Sequence, residues 1–111
     1  MKRTFIEMKE FRVRVDEIGD INLLEIIQNE ILKDAQIGVL VKGTGGIRKF
    51  RFGVKGKGKS GGIRVFYLDI PSKEKCYLLF ILEKSETENI STEGKKEFKK
   101  IACKIKSKEL V

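Results

Sequence analysis

At 111 residues the chain has the length of one domain, and its 41% hydrophobic content supports one small core. With 24 basic against 16 acidic residues, the net charge of +8 calls for a polyanionic partner: nucleic acid, an anionic membrane or an acidic protein. No histidine and only two isolated cysteines, Cys76 and Cys103, argue against a zinc site and a disulfide framework, so two buried free thiols and no metal are expected.

Taken in chain order, Thr4 to Glu7 reads as a short strand. From Lys9 to Ile18, Phe11, Val15 and Ile18 fall at helical spacing, and Gly19 ends the run. Asp20-Ile-Asn22 opens a second helix with Asp20 or Asn22 as N-cap. Leu23, Leu24, Ile26, Ile27, Ile31 and Leu32 give that helix a wide apolar face before Gly38, and the pair is predicted to form a helical hairpin. After Gly43-Thr-Gly-Gly46 the sequence alternates: Phe50, Phe52 and Val54 face one way, and Lys49, Arg51 and Lys55 the other. A glycine-lysine loop follows, then GIRVFYLDI, a turn over Pro71 to Lys75, and CYLLFILE. The last two runs are apolar at both parities, as in strands covered on both faces. Ser91-Thr-Glu93 starts a final helix with Phe98, Ile101, Ala102 and Ile105 on one stripe. The order β-α-α-β-β-β-α, with short links between the last three strands, predicts an α+β fold: an antiparallel sheet with helices packed on one face, all in a single domain over 1–111. The opening MKRTFIEMKEF lacks the apolar core of a signal peptide, and no run reaches the roughly 18 apolar residues of a membrane span, so a cytoplasmic protein without membrane contact is expected.

The charge is concentrated. Between Lys42 and Leu68 lie eight basic residues and no acid, leaving 16 of each sign for the rest of the chain. Phe50, Phe52, Val54, Val65, Phe66 and Tyr67 interleave with those cations, so the segment is a folded basic surface and not a solvated tail. Within it, Gly53 to Ser60 satisfies the G-x-x-x-x-G-K-S spacing of a nucleotide-binding loop. Such a loop needs a helix starting at its Lys-Ser pair, whereas Ser60 is followed by Gly61-Gly62 and a strand. Asp69 lies too close to Ser60 for a parallel crossover. The match is therefore accidental and no nucleotide cofactor is expected. Glycines let backbone N–H groups approach a polyanion, lysines and arginines contact phosphates, and Tyr67 could stack on a base or belong to the core.

The run GTGGIRKFRFGVKGKGKSGGIRVFYLDI, followed by CYLLFILEKSETENIST and EGKKEFKK, resembles the RelE superfamily of toxins from bacterial toxin–antitoxin pairs, and within it the HigB-like members. The likeness extends over nearly the whole chain and is most specific over residues 43–67. It implies a compact RelE-like ribonuclease fold and a ribosome-dependent endoribonuclease that cuts translated mRNA in the A site, in a 16S rRNA environment. It also implies a cognate antitoxin that blocks the toxin. The family's cationic site maps onto Lys57, Lys59 and Arg64, with Arg48 and Arg51 as supporting cations on the preceding strand and Lys84 at the end of the last. Two positions depart from the family pattern: L-E-K-S-E replaces the usual Y-A-K-N-E, putting Glu83 for Ala and Ser85 for Asn, and the strand's tyrosine pair is Phe66-Tyr67, with one hydroxyl.

RNA cleavage without metal requires a base for the 2′-OH, stabilisation of the phosphorane and a proton for the 5′-oxygen. Histidine is absent, so a lysine must substitute, its pKa depressed by neighbouring cations. Lys57 or Lys59 is the expected base, Arg64 the phosphate clamp and Lys84 a second cation or acid. Lys49, Arg51, Lys55, Arg48 and Tyr67 are the expected RNA contacts. The bland readings are that the loop lysines merely anchor phosphates, that Lys84 is a solvated strand end and that Tyr67 is core. Glu83 and Glu86 are the alternative bases. The competing function is a non-catalytic RNA- or ribosome-binding module.

Overall fold

The computed structural model describes residues 2–53, 62–83 and 90–110. Among them the elements are β1 (Thr4–Glu7), α1 (Lys9–Ile18), α2 (Leu23–Lys33), β2 (Val39–Leu40), β3 (Arg48–Gly53), β4 (Gly62–Ile70), β5 (Lys75–Glu83) and α3 (Thr92–Glu109), with one 3-10 turn at Pro71–Lys73. The α+β class and the predicted order hold, with β2 as an additional short strand that the sequence pattern did not announce. Cys76 is buried as expected, whereas Cys103, on α3, is exposed. No helix among the described residues is long and apolar enough to cross a membrane.

The strands lie in the order β1-β5-β4-β3-β2. β3, β4 and β5 form the expected antiparallel meander. β1 joins the outer edge of β5 in parallel, so the sheet is mixed. A parallel neighbour needs a crossover, and here the crossover from β1 to β5 runs through α1, α2 and β2 to β4. Arg3 clasps the edge strand from its end: its Nε donates to Asp69 Oδ1 at 2.7 Å and its Nη2 to Asp69 Oδ2 at 3.0 Å, reaching past β5 to β4. That bidentate bond raises the guanidinium's pKa, partly opposed by burial.

The alternation of β4 explains how helices cover the sheet. Ile63, Val65 and Tyr67 face Phe11, Leu23, Ile27 and Ile31 of α1 and α2. Phe66, Leu68 and Ile70 face Ala102 and Ile105 of α3. The expectation of helices on one face thus holds for the α1–α2 hairpin, while α3 lies against the other. The physical reason was present in the double-parity apolar runs: a strand apolar on both faces must bury both. β5 keeps both faces supplied through a bulge. Its register shifts between the pairs Phe66↔Phe80 and Tyr67↔Leu78, so the adjacent Leu79 and Phe80 both pack toward α3.

The helix ends follow local chemistry. Gly19 takes φ +76 and its N–H donates to Val15 O at 3.2 Å, closing α1. Asn22 occupies the N-cap position of α2, and Asp20 Oδ1 accepts from its N–H at 2.9 Å. Ser91 Oγ accepts from Gly94 N at 3.0 Å at the start of α3. The far end of α3 is bound to the sheet: Glu109 accepts from Lys75 Nζ at 2.9 and 3.1 Å and from the Tyr77 hydroxyl.

Candidate functional site: a cationic strand pair beside the last helix

The Gly43-Thr-Gly-Gly46 motif positions the basic strand. Gly43, Gly45 and Gly46 take φ of +79, +78 and +114, which L side chains rarely adopt. Thr44 is buried at their centre; its Oγ1 donates to Val41 O at 2.6 Å and accepts from Ile47 N at 3.2 Å. The turn feeds β3 in a fixed phase. Phe50 packs into the core under α1 and α2, and Lys49 and Arg51 fall on the face that carries α3.

On that face Arg51 is the direct cross-strand partner of Arg64, and Arg64 is in turn the partner of Leu82 on β5. Arg51 is exposed, whereas Arg64 retains only 2% of its surface. Two guanidinium-bearing residues thus meet on adjacent strands and one face, Arg51 open to solvent and Arg64 buried. Lys49, half-buried, is the partner of Phe66 on the same face.

Arg48 is not part of this group. Alternation puts it on the opposite face, across from Tyr67, and its Nη1 donates to Gly38 O at 2.7 Å. It braces the segment before β2 instead of supporting Arg51, a correction that the two-residue period of the strand explains. Tyr67 also departs from the base-stacking expectation. Its ring is 0% exposed and meets Phe50 edge-on at 5.8 Å. Its hydroxyl donates to Ala35 O at 2.9 Å and accepts from Gly38 N at 3.0 Å. Burial pushes the phenol's pKa up, and no ring face is open to a base. Tyr67 is the core residue of the two readings, with a second task as a pin for residues 35–38. Glu83 pairs with Ile63, on the face opposite Arg64, which weakens its standing as an alternative base.

Lys55, Lys57, Lys59 and Lys84, together with Glu86, lie outside the described residues. Of the sequence-predicted set, the strand register puts Lys49, Arg51 and Arg64 on the α3 face, and Arg48 and the buried Tyr67 on the opposite face. Sequence reasoning passed over Arg14, whose guanidinium carbon sits 4.7 Å from the Phe80 ring centroid. Nothing in its local pattern marks it, because the contact joins α1 to β5.

The site is thus a strand pair that carries cations, introduced by a glycine turn and flanked on one face by the last helix. The family described as the RelE toxin of the RelE/RelB toxin–antitoxin system matches residues 3–110. The chain belongs to the RelE toxin family. That match takes in every described element, from β1 to α3.

Proposed function

We propose that this RelE-family chain is a metal-independent endoribonuclease that cuts translated mRNA in the ribosomal A site, in a 16S rRNA environment, and is blocked by a cognate antitoxin in the cytoplasm. The observation that carries the reading is the Arg51–Arg64 pair on the α3 face of a chain matched to the family over residues 3–110. In the proposed reaction the 2′-oxygen loses its proton to Lys57 or Lys59 and attacks the adjacent phosphorus. Arg64 holds the non-bridging oxygens as charge develops on the phosphorane. The 5′-oxygen departs with a proton from a lysine, for which Lys84 is the candidate, leaving a 2′,3′-cyclic phosphate and a 5′-hydroxyl. Lys49, Arg51 and Lys55 bind neighbouring phosphates.

The test is induction of the protein with and without its adjacent antitoxin frame, followed by mapping of mRNA ends. Growth arrest and cuts within translated frames are expected only without the antitoxin. Arg64→Ala, and Arg64→Met, which keeps an apolar stem in the buried position, should abolish both while circular dichroism shows a folded protein. Either variant cutting at the normal rate would remove Arg64 from the reaction. RNA binding by the wild type without any cut mRNA would favour the non-catalytic module.

A further inference from the structure

We propose that the flank of α3 facing β3 forms the second wall of an RNA track, in which Lys95 and Lys99 bind phosphates of the strand held by Lys49 and Arg51. The proposal rests on the reading of this chain as an RNA-binding toxin, and it assigns new residues to that surface.

The rotation of α3 is fixed by Phe98, whose ring lies 5.2 Å from Phe66 and 6.3 Å from Phe80. At about 100° per residue, Lys95, Lys99, Ala102 and Lys106 fall on one flank, roughly 40° to 100° from Phe98. Two contacts identify the direction of that flank. A methyl group on Gly45 would lie 3.5 Å from Ala102 Cβ, and Lys106 Nζ donates to Gly45 O. Both are contacts to the turn that leads into β3. The opposite flank, with Gly94, Glu97 and Ile101, borders an apolar groove against Leu79, Phe80 and Leu82 of β5.

Direction along the helix follows from the same contacts. The C-terminal half of α3 lies at Gly45, and Phe98 lies over Phe66, the cross-strand partner of Lys49. Moving toward the N-terminus of α3 therefore moves along β3 toward Arg51. Lys99 sits beside the level of Lys49, and Lys95 beside that of Arg51.

The acids of α3 lie elsewhere. Glu93 pairs with Lys96 at 3.8 Å and Glu97 with Lys100 at 3.4 Å, while Glu109 is held by Lys75 and Tyr77 at the helix end. On this flank Lys95 and Lys99 reach the surface, Lys106 is bonded to the turn and Ala102 is buried, so no aromatic or bulky aliphatic side chain is presented. A protein partner would need an apolar anchor there. A phosphate backbone needs only cations spaced along its path.

The experiment measures binding of a short fluorescent single-stranded RNA to the intact protein across a salt series. Lys95→Gln/Lys99→Gln should weaken binding and reduce the slope of log K against log salt by about 1.4, from roughly 0.7 per phosphate contact on a single strand. Lys96→Gln/Lys100→Gln, on the outer face, should leave the slope unchanged. The track is overturned if the two double variants shift the slope equally, if Lys95→Gln/Lys99→Gln shifts nothing, or if polyglutamate displaces the RNA at equal charge concentration. Cleavage of translated mRNA separates this proposal from the one beneath it. A wild type that cuts mRNA, with an unaltered slope in the Lys95/Lys99 variant, refutes the track and leaves the nuclease standing. A slope loss confined to that variant, in a protein that cuts nothing, supports the track and refutes the nuclease.

Discussion

Single side chains divide this molecule into those that hold it together and those left to meet a ligand. Tyr67 belongs to the first group: its hydroxyl joins the Ala35 carbonyl and the Gly38 amide beneath a sealed ring. Tyr67→Phe leaves the buried Gly38 amide without its acceptor and takes the donor from the half-buried Ala35 carbonyl, and should cost about 1–3 kcal/mol in urea unfolding. The same variant should cut mRNA normally per folded molecule, since no ring face reaches solvent; a selective loss of cleavage at full stability would restore the base-stacking role. Strand alternation made the outward placement of Lys49 and Arg51 legible in the sequence. The same alternation separates Arg48 from Arg51, and only family mapping had grouped the two. The fate of Tyr67 was not legible, because β4 is apolar at both parities and pattern alone cannot say which face receives which cover.

Among the elements, the glycine turn and the final helix carry the most local information. Gly46 at φ +114 lies outside the region open to L residues. Gly46→Ala should therefore destabilise the fold by about 1–3 kcal/mol and disturb the seat of Lys106 on the turn. Gly43→Asn should cost less, since asparagine tolerates the left-handed region. Thermal melts of the two variants check the order. Ser91→Ala removes the hydroxyl that caps α3, with an expected loss of about 1 kcal/mol. Both features could be seen in the residues: glycines where φ must be positive, and a serine ahead of an amphipathic run. The β5 bulge could not. It shows only in the register of β5 against β4, and no local propensity encodes it.

For the whole molecule, the closing contact is the one between α3 and the sheet at Glu109. Hydrogen bonds from Tyr77, and then from Lys75, hold the Glu109 carboxyl below its ordinary value of 4.5. A depressed carboxylate contributes stability above its unfolded pKa and loses it as pH falls through the folded value. Burial, with the Glu109 bond second, pushes Tyr77 up from 10.0 to about 12. A raised phenol contributes stability below pH 10, lost between 10 and about 12 as the unfolded chain ionises first. Melting temperature against pH should therefore fall on an acid limb below 4.5 and on an alkaline limb above 10. Glu109→Gln should flatten the acid limb, and Tyr77→Phe should shrink both. An acid limb unchanged in Glu109→Gln would show that other carboxylates govern it.

The sequence by itself settled what depends on neighbours along the chain: the three helices and where they start, the antiparallel meander, and the concentration of the net charge of +8 between Lys42 and Leu68. The family motifs lie in that same stretch. Tertiary structure decided what depends on residues far apart. It set the parallel docking of β1 on β5, the placement of α3 opposite the helical hairpin, the sealing of Tyr67 and the removal of Arg48 to the other face. The reason is that periodicity records which side of a strand is apolar, while the identity of the cover is fixed only when distant elements compete for that side.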